Sequence, residues 1–571
     1  MECFTVTNHL SVHKFHPMFL RERDMTNRIV LSLLALLPMP LMAVELPSLF
    51  SDHAVLQSGD DTPVWGKGRD GEQITVSIAG VSATATAADG KWMVHLTGLA
   101  AAEAGQDLTV KGDTTLTVRD VLIGDVWLCS GQSNMAFAVQ RSHTGAAEIP
   151  KATDGGIRLF QVPGVPSRVP LSAMQASWKV CSPETVPGFS AVGYYFGREL
   201  RGLRKCPIGL IGSYWGGTPA QAWTSRDALG AAPAFANYVN ALDKLDKNGD
   251  ATRADLAKKI EAYEAELKQV REANAMAKQD WDKQAAAAKT AGTPAPAAFT
   301  AKPEPKKPTD PNLSPSTAAN LFNGMIAPLI PYAITGAIWY QGEANQGAAV
   351  EYATLFPRMI TDWRTRWGRG DFPFLFVHLS SWQGAQKDPV EPGGIPSVRQ
   401  TQQAALALPK TGMASALDVN AGPDIHPADK LDVAKRLAQV ARKVAYGEDV
   451  PCDSPRFKEL QIDGAIVKLT FEHGEGLHVA VPPWLGEKAT RPSESEPASF
   501  ALCGADGQWK WAKAKVDGQT IMLTSDEVQV PVAAAFAWAP NPQINVYNAQ
   551  NLPLLPFVSD ASKLTPAPAK K

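Results

Sequence analysis

From residue 44 to about residue 119, apolar and polar positions alternate in short runs such as Gln73-Ile74-Thr75-Val76-Ser77-Ile78 and Trp92-Met93-Val94-His95-Leu96. Ala88-Asp89-Gly90 marks a turn between them. Period-two alternation broken at this spacing predicts a small antiparallel β-sandwich over 44–119. Gly66-Lys67-Gly68-Arg69-Asp70-Gly71 has the spacing of a dinucleotide-binding turn. A β-patterned segment follows it where such a turn needs a helix, so it reads as a plain turn.

At residue 120 the texture changes. Unbroken apolar runs now end in polar clusters and are followed by helical periodicity, which predicts an α/β domain with a parallel sheet. Ile123-Gly124-Asp125-Val126-Trp127-Leu128-Cys129 stops at Ser130-Gly131-Gln132-Ser133, and the Ile208–Ile211 strand stops at Gly212-Ser213-Tyr214-Trp215-Gly216-Gly217. The strand over 333–340 ends in Gln341-Gly342-Glu343-Ala344-Asn345, and that over 374–379 ends in Ser380-Ser381-Trp382-Gln383. A further strand over 414–419 ends near Asn420, and an amphipathic helix over 430–445 closes the domain. Polar residues therefore gather at the carboxyl ends of the strands, the edge where open α/β sheets bind ligands.

Two stretches depart from this texture. In 230–315, Leu256, Ile260, Tyr263, Leu267 and Val270 step by four and three, with Asn274, Ala277 and Trp281 in register. This predicts one long helix packing its stripe on the host domain. Pro294, Pro296, Pro303, Pro305, Pro308 and Pro311 then predict an extended, mobile connector. After residue 447, alternation returns in Ile466-Val467-Lys468-Leu469-Thr470-Phe471 and in later short runs, predicting a second β-rich unit in which His473 and His478 lie on the surface. The expected organisation is an upstream extension and signal peptide (1–43), a β-sandwich (44–119), an α/β domain in two parts (120–229 and 316–447) around an insertion (230–315), and a C-terminal β-rich domain (448–571).

Charge narrows the function. The 571 residues carry a formal net charge of −2 with 20% charged residues, which gives no basic face for nucleic acid or an anionic membrane. A short basic start at Met25-Thr26-Asn27-Arg28, an apolar core over 29–42 and a small residue at Ala43 read as a secretory signal, hence export to the periplasm or beyond, with no membrane association after cleavage. In an oxidising compartment Cys181 with Cys206, and Cys452 with Cys503, are candidate pairs, while Cys129 sits in an apolar strand as a free thiol. The chain has no Cys-x-x-Cys, so no structural zinc is expected.

Ser133 stands where a strand turns into a helix, so its hydroxyl projects past the sheet beside backbone N–H groups suited to an oxyanion. The alternative is an ordinary N-cap. Ser213 is a rival nucleophile, although no helix begins directly after it. A serine nucleophile needs a base. Of His143, His378 and His426, the first reads as a surface residue and the second as a core histidine, whereas His426 lies in a loop after a strand with Asp424 two positions before it. Asp424 can orient the imidazole, and Asp418 competes for that role.

Gly131-Gln132-Ser133-Asn134-Met135, Gly216-Gly217-Thr218, Trp339-Tyr340-Gln341-Gly342-Glu343-Ala344-Asn345 and Asp424-Ile425-His426-Pro427, in this order, resemble the blocks of the sialate O-acetylesterase family of the SGNH hydrolase superfamily. The resemblance spans most of 44–560. It implies a three-layer αβα fold and an acyl-enzyme mechanism releasing acetate from an O-acetylated sugar, without metal or nucleotide cofactor. It also implies a Ser133 nucleophile, a His426 base, an Asp424 acid, and an oxyanion hole from the N–H of Ser133, the backbone at Gly216 or Gly217, and the Asn345 side-chain amide. The superfamily usually places its acid three residues before the histidine, where this chain has Pro423. Gln132, Gln341, Glu343, Trp215, Trp382 and Arg399 are candidate substrate-binding residues, and Trp127 and Trp223 are further candidates for stacking on a sugar face. Sialic acid O-acetyl esters are the implied substrates, with acetylated xylan or xyloglucan close behind. A non-catalytic glycan-binding protein carrying a relic esterase domain is the rival class.

Overall fold

The computed structural model of the protein describes residues 44–59, 61–294, 296–308, 310–420, 422–482 and 493–564. The expected signal segment, Cys3 and the tail 566–571 lie outside the described residues.

One strand organises the molecule. β1 (Thr115–Gly131), 17 residues long, begins as the antiparallel partner of Ala102–Lys111 in the N-terminal β unit and ends as the central strand of the α/β sheet. Its burial changes with its partners: exposed positions recur up to residue 120, and Val121 through Gly131 are all buried. The boundary expected between 119 and 120 is therefore a change of partner within a strand, not a linker. The Gly66–Gly71 stretch leads from strand Thr62–Lys67 into strand Gln73–Ile78 through a turn.

The sheet continues with β2 (Asp154–Gln161), β3 (Trp178–Cys181), β4 (Ile208–Tyr214), β5 (Gly336–Tyr340), β6 (Phe374–His378) and β7 (Thr411–Ser415). Its spatial order is β7-β6-β5-β1-β4-β2-β3, parallel except for β3. From β1 the chain goes out to β2 and the edge strand β3, returns to set β4 beside β1, and then crosses to β5 on the other side, so the winding reverses at β1, the point at which open α/β sheets bind ligands. Tyr214 and Tyr340 both pair with Gly131, so β4 and β5 end level with β1 on either side of it.

Helices cover both faces. After α1 (Ser133–Ala136), α2 (Ala191–Arg204) lies over the face that Cys129 points to, where a methyl added at Gly193 would stand 3.1 Å from the Cys129 sulfur. Adjacent strand residues point to opposite faces. Trp339, paired with Ser130, accordingly points the other way and packs on Phe356 and Trp363, with ring centroids 6.3 and 5.7 Å apart. Beyond α3 (Ala236–Lys247) and α4 (Gly249–Ala291), these two rings belong to α5 (Ala349–Trp367), followed by α6 (Gly394–Gln402) and α7 (Leu431–Val444).

The final strand is displaced from the predicted 414–419 to Thr411–Ser415. Leu417 leaves the sheet to join the apolar core of the C-terminal β unit, which pulls the following residues out of strand register. That unit contains two four-stranded antiparallel sheets whose inner residues share one core, Leu469, Phe471, Ile521 and Leu523 of one with Phe500, Leu502 and Phe536 of the other. His478 lies at its surface, bonded to Gly476 O and Asn551 Oδ1.

The insertion differs from expectation. α4 runs 43 residues, ~65 Å at 1.5 Å per residue. Its stripe (Leu256, Ile260, Tyr263, Leu267, Val270, Trp281) is half-buried, and the Pro-rich tract folds back along the 271–281 part of the helix. Arg271 pairs with Glu304 at 2.8 Å, Asn274 bonds Lys302 O and the Lys302 amide, and the Trp281 indole donates to Ala297 O at 2.6 Å. The tract is thus a docked strap and not a free connector. A polyproline chain is already extended, so little further entropy is lost on docking.

The described cysteines, Cys129, Cys181, Cys206, Cys452 and Cys503, are all buried free thiols, so neither candidate disulfide forms. Burial pushes the Cys181, Cys206 and Cys452 thiols up to about 11. Among the described residues no helix is long and apolar enough to cross a membrane, and no cluster of three His, Cys, Asp or Glu is placed to hold a metal ion.

Arg399 is a strut rather than a cleft residue. Fully buried on α6, it donates to the carbonyls of Leu379, Ser380, Ala539 and Pro540 at 2.6–3.1 Å, tying the end of β6 to the C-terminal β unit. Desolvation lowers its guanidinium to about 9. Arg399→Met leaves these carbonyls without their donor and should destabilise the protein by roughly 2–4 kcal/mol, read as a lower urea midpoint.

Candidate active site

The site begins at the end of β1. Gly131 has φ +138, and a Cβ there would lie 2.2 Å from Tyr340 O, so only glycine lets the chain turn this tightly against β5. Gln132 N–H then donates to Tyr340 O at 3.0 Å, and Trp215 N–H donates to Gly131 O at 3.1 Å, which fastens the turn to both neighbouring strands. Gln132 is the N-cap residue of α1 and Ser133 its first residue, so Ser133 does not serve as the cap. Ser133 is half-exposed. Gly216 faces it closely, since a methyl at Gly216 would stand 3.4 Å from Ser133 Cβ. Gly217, at φ +75, turns the chain away. Ser213, the rival nucleophile, is buried with its hydroxyl donating to Met325 O at 2.9 Å.

Asn345 follows β5. Its Oδ1 accepts from Ala220 N–H at 2.9 Å and from Gln341 Nε2 at 2.7 Å, which fixes the orientation of the amide. Its Nδ2 donates one hydrogen to Gln221 Oε1 at 3.0 Å. Gln341 is itself held by Tyr352, whose hydroxyl donates to Gln341 Oε1 at 3.0 Å. Gln132 Oε1 accepts from Ala344 N–H at 3.2 Å. Gln132, Gln341 and Glu343, expected to touch substrate, are all buried and serve as framework under the loops. Trp127 and Trp223 are fully buried in the core and cannot stack on a sugar, whereas Trp215 and Trp382 are half-exposed at the carboxyl edge.

Asn134, beside Ser133 and fully buried, joins three segments. Its Nδ2 donates to Glu343 Oε1 at 2.6 Å and to Ile425 O at 3.0 Å, and its Oδ1 accepts from Lys430 Nζ at 2.6 Å. The loop carrying His426 is thereby anchored to the residue next to Ser133. The His426 ring lies 6.4 Å from the Phe137 ring, just past α1. Burial lowers the His426 imidazole from its ordinary value, and Lys430 and Arg141 reinforce this against the opposing pull of Asp424. The shift favours the neutral form, the one a general base requires.

The two candidate acids separate. Asp424 Oδ1 faces His426 Nδ1 at 3.5 Å and accepts the His426 backbone N–H at 2.9 Å, with the carboxylate 70% exposed. Asp418 is buried and gripped by both Arg436 nitrogens at 2.6 and 2.9 Å, so its charge is already matched away from His426. The other histidines lie apart. His378 is enclosed at the end of β6, where burial lowers it to about 3, and His143 bonds Ala428 O behind the His426 loop.

Sequence reasoning passed over Asn134, Gln221 and Lys430 as parts of the site. Lys430 carried a signal: it occupies the N-cap of α7, where the helix dipole disfavours a cation, so another interaction must hold it there.

Residues 318–443 match the carbohydrate esterase family described as sialic acid-specific acetylesterase. The sialate O-acetylesterase of Rattus norvegicus is 30% identical over 564 residues, covering 90% of this chain and 93% of that protein. The Homo sapiens sialate O-acetylesterase is 28% identical over 545 residues, covering 87% and 88%. A carbohydrate acetylesterase from Xanthomonas citri has a similar crystal structure, with a TM-score of 0.71 at 32% identity, covering 91% of this chain and all of that one. With nearly the whole chain matched in both sequence and fold, the protein belongs to the sialate O-acetylesterase family and is a carboxylic ester hydrolase acting as a carbohydrate acetylesterase.

Proposed function

We propose that the protein is an exported SGNH-type serine esterase that removes O-acetyl groups from sugars through an acetyl-enzyme on Ser133. The observation that carries this reading is the Asn134 junction, which ties the His426 loop and the Glu343 loop to the residue beside Ser133 while Gly216 closes in from the other side. His426 Nδ1 faces Asp424, which leaves Nε2 to take the Ser133 proton as Oγ attacks the acetyl carbonyl. The Ser133 N–H, a backbone N–H at Gly216 or Gly217 and the second Asn345 Nδ2 hydrogen stabilise the oxyanion. His426 then gives the proton to the sugar oxygen as its bond to the acetyl carbon breaks, so the sugar leaves as a free alcohol. In the second half, water loses a proton to His426 and attacks the acetyl carbonyl, and as the intermediate collapses His426 returns that proton to Ser133 Oγ, releasing acetic acid, which ionises to acetate.

The family names favour sialic acid O-acetyl esters, and the half-exposed Trp215 and Trp382 offer faces for a sugar ring. Export rests on the basic and apolar pattern of residues 25–43. The test is acetate release from O-acetylated sialosides beside acetylated xylan and xyloglucan. Turnover is expected to be highest on the sialosides, with acetyl preferred over butyryl esters. Faster turnover on the plant glycans would reassign the substrate, and a preference for long acyl chains would overturn the deacetylase reading.

A further inference from the structure

The floor beneath Ser133 holds two buried ionisable groups of opposite kind that do not touch, and burial pushes the Glu343 carboxyl up and the Lys430 ammonium down. Lys430 has no exposed surface, and its ammonium donates to Asn134 Oδ1 at 2.6 Å and lies 4.8 and 5.2 Å from the ring centres of Phe137 and Tyr340. Glu343, also buried, accepts from the amide nitrogen of the same Asn134, while its other oxygen has no hydrogen-bond partner among the described residues. The cation thus sits on the oxygen side of the amide and the carboxylate on the nitrogen side. An amide between opposite charges is held in one orientation, because a flip would bring each charge against a like partial charge. That orientation is the one in which Nδ2 also reaches Ile425 O, next to His426.

We propose that Lys430 is a positioning residue of the esterase, whose ammonium locks the Asn134 amide so that the Ser133 turn and the His426 loop stay in register. This rests on the reading of Ser133 and His426 given above. A buried lysine is costly and would ordinarily be replaced by an apolar residue, so its presence at the centre of a polar junction calls for a compensating role. Lys430 also acts at a distance on His426. The charged groups around Lys430 are Glu343 from the loop after β5, Asp424 and Asp429 from its own loop, and Arg141 from the turn after α1. Those acting on His426 are Asp424, Lys430 and Arg141. Burial lowers the Lys430 ammonium to about 7, so on the acid side of neutrality it is a cation and opposes protonation of the nearby imidazole. Removing Lys430 therefore moves the acid limb of activity to higher pH.

Three variants separate positioning from plain stability. Lys430→Met should lower kcat ~10–100-fold with KM changed less than threefold, and should shift the acid limb of kcat/KM upward by about half a pH unit. Lys430→Gln, which keeps a donor for Asn134 Oδ1 without the charge, should recover part of kcat and none of the limb. Lys430→Met/Glu343→Gln removes both buried charges and should recover the unfolding midpoint but not the limb. Recovery of kcat and the limb together with stability in the double variant would make Lys430 structural only and overturn the proposal. So would folded single variants with unchanged kcat and pH profile, or failure of all three to fold. Ser133→Ala is assayed alongside: residual wild-type turnover there would sink the reading of the site itself, whereas an inactive Ser133→Ala with unmoved Lys430 variants sinks this inference alone.

Discussion

Ser133→Ala should lower kcat for acetate release from p-nitrophenyl acetate by ~10⁴-fold or more, with KM nearly unchanged, because the acetyl group then has no oxygen to which it can be transferred. His426→Ala should cost about as much, and the double variant little more than either, since nucleophile and base act as one unit. The substitution at 133 removes one half-exposed hydroxyl from a turn fastened by backbone bonds, so the unfolding midpoint should stay near that of the parent. Asp424→Asn should be far milder. Its carboxylate is 70% exposed and 3.5 Å from the imidazole, where a water-like dielectric leaves about 1 kcal/mol of attraction, worth about five- to tenfold in rate. Equal losses at 424 and 133 would mean that water is excluded around Asp424 when substrate binds.

Asn345→Ala should reduce kcat by ~10²–10³ with a small change in KM, the size expected when one donor to a developing oxyanion is lost. The argument rests on orientation. Ala220 N–H and Gln341 Nε2 both donate to Oδ1, so Nδ2 is the atom turned away from them, and Gln221 uses only one of its two hydrogens. Asn345→Asp preserves shape and both incoming bonds while replacing the donor with an anion. Its kcat should fall at least as far as that of the alanine variant, although its fold is better preserved. An unchanged kcat in both variants would move the third oxyanion donor elsewhere.

The sequence marked the ends of strands better than the strands themselves. Ser133, Gly216, Asn345 and His426 were legible because each follows an apolar run at a break in periodicity, and a parallel sheet brings such breaks to one edge. β2 was missed because its Asp154-Gly155-Gly156 start lacks β-forming residues, and β7 was misplaced because Leu417 belongs to a different core from the strand before it. The roles of Gln132, Gln341, Glu343 and Arg399 were not legible, since polarity alone does not say whether a side chain faces substrate or carries the loop beside it. Here burial together with the hydrogen bonds already made to the loops separates them, and each of the four is below 6% exposed. The cysteine pairings failed for a similar reason: an oxidising compartment permits a disulfide but does not bring two thiols together, and each described thiol is buried and free.

A strand that changes partners midway has no joint at which two modules can come apart. β1 is hydrogen-bonded to the N-terminal unit through residue 124, to β4 from residue 125 and to β5 from residue 127 onward, so a pull on one end is felt at the Ser133 turn. Clipping away residues 44–114 would not free an intact catalytic half. It would bare the leading edge of the strand that presents the nucleophile, and the amides from 121 to 131 should surrender their hydrogen-exchange protection as a block.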